Sequence, residues 1–212
     1  MKNLITLSVV VLMTMTIAKS QEANVISLPQ PDKTGGMPLM EALDKRMSSR
    51  EYSEKDLSSQ QISNLLWSAW GINRENGKHT APSSRNKQEM EVYISTKDGL
   101  FLYLPEKHAL KKIFEEDIRK ITGGQDFVGK APVNLIFVAN YKKVGEDITA
   151  EDYRGTSQAN AGFMSQNVYL YCASEGLATV VRGWYDREKL HKAMKLEDFK
   201  DIIYCQTVGY PN

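Results

Sequence analysis

The sequence predicts an α+β fold, and three observations carry the prediction. Apolar residues recur at helical spacing in several segments, a β-hairpin signature stands near the middle, and one unbroken apolar run reads as a strand buried on both faces. The first helix begins after Pro38, where Leu39, Met40, Leu43 and Met47 share one spacing. A second starts at Ser59 and places Ile62, Leu65, Leu66 and Ala69 on one face. Ser58 with Gln61 three residues on resembles a capping box, and Gly71 stops the helix. Met90 to Ser95 and Leu100 to Leu104 are two strands joined by Lys97-Asp98-Gly99. A helix is expected from Ala109 to Ile121, ended by Gly123-Gly124. The run Val133 to Ala139 is the doubly buried strand. A long helix from Ser157 to Ser174 buries Ala161, Met164, Val168, Tyr171 and Cys172. After Gly176 come a strand from Ala178 to Val181, a short helix from Arg187 to Met194 and a last strand from Ile202 to Val208. That order, with no internal repeat, is an α+β arrangement.

The ends of the chain carry different information. Met1-Lys2-Asn3 followed by an apolar stretch from Leu4 to Ile17 and small residues at Ala18 and Ser20 is the pattern of a secretory signal peptide over residues 1–20, cut before Gln21. A spanning helix needs about 20 apolar residues, so export to the periplasm, without stable membrane insertion, is the expectation. Residues 21–36, with Pro29, Pro31, Gly35 and Gly36 among polar residues, read as a linker or arm, and residues 37–212 as one folded domain. Lys and Arg number 27 against 26 Asp and Glu. With no Lys/Arg block in view, this balance excludes the electrostatic footprint of a nucleic-acid binder. The two cysteines, Cys172 and Cys205, each sit in an apolar pattern and are expected as buried free thiols. His79, His108 and His191 lie in different elements with no carboxylate or cysteine at ligand spacing, so no metal site is expected.

Three segments carry candidate chemistry. Arg46-Met47-Ser48-Ser49-Arg50 follows a helix and offers a guanidinium fork, a hydroxyl and a second cation, although arginines at a helix end also serve simply to complement the dipole. Ala81-Pro82-Ser83-Ser84-Arg85-Asn86-Lys87-Gln88 precedes a strand and supplies hydroxyls, an amide and backbone N–H groups suited to a carbonyl-rich heterocycle, or else forms an ordinary turn. Gln166 and Asn167 interrupt an apolar helix, where each amide needs a partner. That helix leads through Gly176, itself a possible C-cap, to Val181-Arg182-Gly183-Trp184.

Taken in order, these segments resemble the nitroreductase family of FMN enzymes, over about Pro38 to Pro211. The family's Arg-x-Ser-x-Arg/Lys element, Pro-Ser-Ser-x-Asn loop and helix ending in a Gly-Leu turn all have counterparts here. Leu65-Leu66-Trp67-Ser68-Ala69-Trp70-Gly71-Ile72 and Val208-Gly209-Tyr210-Pro211 look like the short, oxidase-like branch. The resemblance implies a three-layer sandwich whose central mixed or antiparallel sheet is flanked by helices, in a homodimer with FMN at the interface. By the same carry-over Arg46 and Ser48 hold the FMN phosphate or ribityl chain, and Arg50 faces the N1–C2 edge, where a fixed cation stabilises reduced flavin. Pro82, Ser83, Ser84 and Asn86 reach the flavin of the second subunit, and Gln166, Val181, Arg182 and Gly183 line the site, with the Arg182 and Gly183 backbone near N5.

The implied activity is hydride transfer by a ping-pong mechanism from a donor such as NAD(P)H to a nitroaromatic or quinone. Oxidation of azoline-like rings and flavin binding without turnover are the alternatives. No side chain other than those around the flavin is expected to act, because the cofactor carries the reaction. Two departures stand out: Val181-Arg182-Gly183-Trp184 replaces the family's Pro-x-Glu-Gly, and no basic Lys-x-Arg element precedes Asn212. Arg182 and Trp184 are therefore expected to reshape the pocket above the ring.

Overall fold

The computed structural model describes residues 24–212, so the leader expected over residues 1–20 lies outside the described residues. Seven strands form one sheet, β1 Val25–Ser27, β2 Met90–Thr96, β3 Gly99–Leu104, β4 Ala109–Phe114, β5 Val133–Asn140, β6 Ala178–Arg182 and β7 Lys200–Gly209. Their order is β1-β4-β3-β2-β5-β7-β6, and every pairing is antiparallel. The helices are α1 Leu39–Lys45, α2 Ser59–Trp70, α3 Ala150–Ser174 and α4 Arg187–Ala193. Among the described residues no helix is long and apolar enough to cross a membrane.

Burial along β5 shows why the sandwich has three layers. Val133, Leu135, Phe137 and Ala139 face a core built with Leu65, Leu66, Met164 and Val168 of α2 and α3, whereas Ile136 and Val138 face a second core with Leu190 of α4 and Met194. A strand buried on both faces has no polar side to show, which is why its sequence runs apolar without alternation. The Ser58 hydroxyl accepts from the Gln61 N–H while the Gln61 side chain accepts from the Ser58 N–H, closing the expected capping box. At the far end of α3, Gly176 takes φ +64° and Leu177 N–H reaches back to Cys172 O at 2.8 Å, a left-handed stop that favours glycine. Cys172 and Cys205 are free and buried, and burial pushes the Cys205 thiol up to about 12.

Two expectations need correction, the helix over Ala109 to Ile121 and the start of the long helix. Ala109 to Ile121 is no helix: residues Ala109–Phe114 form β4, and only Arg119–Thr122 makes a short 3-10 turn. Its apolar residues fit a helical period, but the four residues Pro105 to His108 close a tight turn, with His108 N–H on Pro105 O, that folds the chain back along β3. The long helix begins at Ala150 instead of Ser157, because the Asp152 carboxylate accepts both the N–H and the hydroxyl of Thr149 and caps an earlier first turn. In the arm, Val25–Ser27 pairs with β4 as an edge strand. On α1, Leu39 is 63 %, Met40 75 % and Leu43 43 % exposed and only Ala42 is buried, and Met47, just beyond the helix, is 67 % exposed.

Candidate functional site

Tyr169 organises the region. It lies on the buried face of α3, 7 % exposed, and its hydroxyl accepts the Val181 backbone N–H at 3.0 Å while pairing with Ser48 Oγ at 2.8 Å. The Arg46 guanidinium sits over the same ring, 5.3 Å from its centroid. Ser49 N–H adds a bond to Thr179 O at 2.9 Å, so the segment after α1 runs along the open edge of β6. One phenol therefore ties the Arg46–Ser48 segment to the strand that ends at Val181-Arg182-Gly183.

Beside it opens a cavity of 380 Å³ lined by Gly162, Ser165, Gln166, Tyr169, Val181, Arg182, Gly183 and Tyr204. Gln166 projects from α3 at its mouth, whereas the neighbouring Asn167 turns inward and donates to Ser68 O at 3.1 Å, fastening α3 to α2. The two amides that interrupt the helix thus have different roles. Ser165 Oγ is buried with no hydrogen-bond partner, a polar group that a ligand in this cavity can satisfy.

Arg182 does not reshape this cavity with its side chain, contrary to expectation. Strand alternation sends the guanidinium to the opposite face of β6, where Nε donates to Thr207 Oγ1 at 3.0 Å, one terminal nitrogen to Thr122 O at 2.7 Å and the other to Asn134 Oδ1 at 2.8 Å. Burial pulls its pKa below the usual arginine value. A Cβ on Gly123 would collide with the guanidinium, so that glycine makes its seat. Arg182 lines the cavity while all of its guanidinium hydrogen bonds lie elsewhere.

Arg50 is separated from the Tyr169 group. It lines a wider depression of 570 Å³ with Tyr52, Phe127, Lys130 and Trp184, the last 68 % exposed. The two depressions are reached by consecutive residues, Val181 to Gly183 lining one and Trp184 the other. Burial raises the Tyr52 hydroxyl well above its ordinary pKa, and it donates to Ser49 O at 2.7 Å, fixing the turn between Ser48 and Arg50.

Pro82, Ser83 and Asn86 line a third depression, and Ser84 gives its N–H to Asn160 Oδ1 at 3.3 Å. Asn160 is six residues before Gln166 on α3, about 9 Å along the axis, so within one chain this loop stands apart from the Tyr169 cavity. It is strained and held. Arg85, Asn86 and Gln88 all take left-handed φ, at 51°, 54° and 51°, each costing on the order of 1 kcal/mol outside glycine. Gln88 N–H donates to Ser83 Oγ, and its amide donates to Gly77 O and Asn86 Oδ1. Asn160 in turn donates to the buried Glu89 carboxylate at 2.7 Å, which anchors the loop to α3.

Sequence reasoning missed Tyr169. The available signal was a tyrosine inside a buried helical stripe, whose hydroxyl must find a partner.

The model of the Nitroreductase family matches residues 43–210. Two proteins named as putative nitroreductases are similar to the chain. One, from Methanocaldococcus jannaschii, is 31 % identical over 84 % of this chain and 93 % of its own length. The other, a crystal structure from Ralstonia eutropha JMP134, is 44 % identical with a TM-score of 0.84, covering 89 % of this chain and 90 % of that one. A chain of the E. coli microcin synthetase McbBCD complex shares the fold at 20 % identity, with a TM-score of 0.67 over 88 % of this chain and 78 % of its own.

Proposed function

The chain belongs to the nitroreductase family of oxidoreductases, and from that premise we propose that it binds FMN and passes hydride from a reduced donor such as NAD(P)H to a small nitroaromatic or quinone. The observation that carries the reading is the convergence on Tyr169 of three segments distant in sequence, Arg46–Ser48, Gln166 and Val181–Gly183, around one cavity.

The residues present fit the cofactor. Gly162 and Gly183 line the cavity, and a Cβ on either would meet no heavy atom closer than 4.0 Å, so both leave open space for a flat ring. The unpartnered Ser165 hydroxyl and the exposed Gln166 amide supply polar groups at its wall. Arg46 and Ser48, tethered through Tyr169, offer a cation and a hydroxyl for a phosphate. When bound, FMN supplies two-electron chemistry that lets donor and acceptor use one site in turn. Arg50 would stabilise the negative charge of the reduced state, and Gly183 is exposed beside the cavity.

We also propose a homodimer. Leu39, Met40, Leu43 and Met47, with Phe163 of α3, are exposed apolar residues on and beside two helices in contact, which a second copy would cover. On α3, Ala159, Gly162, Phe163 and Gln166 are exposed at positions three and four apart, a stripe that meets a partner while the opposite stripe fills the core. Within that dimer the Pro82–Asn86 loop would serve the second copy's flavin, and the protein would act after export directed by residues 1–20. The deciding experiment is an absorbance spectrum of protein purified from flavin-replete cells, followed by anaerobic NADH or NADPH. Yellow protein that bleaches supports the enzyme; colourless protein that takes up no added FMN refutes it.

A further inference from the structure

We infer that the depression beside the Pro82–Gln88 loop binds a phosphate-class anion. It is lined by Arg74, Lys78, His79, Thr80, Ala81, Pro82, Ser83, Asn86 and Gln88, and among the described residues none of its lining side chains is acidic. Its 270 Å³ falls just below the range of about 300–1,000 Å³ that encloses whole drug-sized ligands. A charged headgroup fits; a complete dinucleotide does not.

Hydrogen-bond accounting shows which donors remain for a ligand. Neither Arg74 nor Lys78 enters an ion pair among the described residues. Arg74 spends Nε on Asn73 Oδ1 at 2.7 Å and one terminal nitrogen on His79 O at 3.3 Å, which steers the guanidinium to the rim and leaves its other terminal nitrogen unspent. Ser83 Oγ accepts from Gln88 N–H, so its own proton is available. Asn86 Oδ1 accepts from the Gln88 amide, which leaves the Asn86 NH₂ available too. Two cations and two neutral donors therefore border one depression.

The strained loop prepays their ordering. Three left-handed residues within four positions, Arg85, Asn86 and Gln88, in a loop pinned by Ser83, Gly77 and Asn160, keep Ser83 and Asn86 in place before any ligand arrives. His79, stacked on Trp70 with ring centroids 4.0 Å apart and bonded through Nδ1 to Trp70 O, makes a rigid back wall. Thr80 spends its hydroxyl on Trp67 O and Ser68 O and contributes only shape.

Anion binding here is independent of the flavin reading; only the source of the anion rests on it. Because Arg46 and Ser48 serve the flavin phosphate in the proposed function, the phosphate assigned here is that of the nicotinamide donor. The test is titration calorimetry of the FMN-loaded chain with inorganic pyrophosphate at low ionic strength, repeated on the flavin-free chain. One saturable site per chain in either form, weakened at least tenfold in Arg74→Ser/Lys78→Ser and unchanged in Lys120→Ser, is the expected result. No saturable binding in either form, or equal affinity in the double variant, overturns the site. Where pyrophosphate binds, selective loss of NADH or NADPH affinity in the double variant assigns the donor. Selective loss of FMN over riboflavin affinity would instead place the flavin phosphate here and overturn the donor assignment. A chain that takes up no FMN would defeat the flavin reading while the pyrophosphate titration still decides this one.

Discussion

Replacing Tyr169 with Phe removes one oxygen and keeps the ring on which Arg46 sits. The lost hydroxyl joins Ser48 Oγ at 2.8 Å and the Val181 N–H at 3.0 Å. Each bond contributes about 0.5–1.5 kcal/mol net, so folding should lose about 2 kcal/mol. For a chain of this size that is a fall of about 4–8 °C in Tm. The functional effect should be selective. Ser48 loses its link through the Tyr169 hydroxyl to Val181, so FMN affinity should drop about tenfold, equivalent to about 1.4 kcal/mol, while riboflavin, which lacks the phosphate, should be affected much less. Fluorescence titration with both flavins separates the two. Hydrogen exchange at the Val181 amide in the flavin-free protein supplies a readout independent of cofactor, and it should accelerate. An unchanged Val181 exchange rate, or equal losses for FMN and riboflavin, would refute the assignment of Tyr169 as the link between the two segments.

Gly123→Ala should cost about 3 kcal/mol, because a Cβ there displaces the Arg182 guanidinium from its buried partners; urea unfolding showing less than about 1 kcal/mol would contradict that packing. Met40→Asp with Phe163→Asp should give a monomer in analytical ultracentrifugation with little retained flavin, and a stable dimer would remove this face from the interface. Arg50→Met should make the flavin potential more negative by on the order of 30 mV, a factor of ten for two electrons, and spectroelectrochemistry that finds no shift would separate Arg50 from the reacting ring. His79 and His108 are both held below the histidine value of 6.5, chiefly by burial. Between the folded and unfolded pKa the unfolded chain binds more protons, so stability present above pH 6.5 should be lost as pH falls through the folded values. Urea midpoints across that range should slope less in His79→Gln, and parallel slopes would deny His79 a part.

Where the hydrophobic pattern and local punctuation agree, the fold was legible. The Val133–Ala139 run needed no tertiary information, since only a strand covered on both faces tolerates so many apolar residues in succession. β4 was not legible, because Ala109, Leu110, Ile113 and Phe114 satisfy a helical period as well as a strand. What decided between them was the outer edge of β3, whose unpaired backbone groups gain a partner when the chain folds back at Pro105 to His108. On α1 the local reading was right about the helix and silent about its surroundings. Its spacing is helical and the helix forms, but spacing cannot say whether an apolar stripe meets its own core or another chain.

The candidate site divides along the same line. Gln166 and Val181 to Gly183 were found through segments that a cofactor would touch, and they do share a cavity. Arg182 misled because a charged residue in such a segment invites a role in the pocket, whereas β6 alternation decides which face receives the side chain. Tyr169 was hidden for a complementary reason: as an aromatic residue in a helical stripe it reads as packing, and its importance lies in one hydroxyl whose partners come from residues 48 and 181. Nothing in its own neighbourhood along the chain announces those contacts. Residues that hold two segments together are defined by distance in the fold, so a site assembled from Arg46, Ser48 and Val181 can be listed from sequence motifs while the atom that joins them cannot.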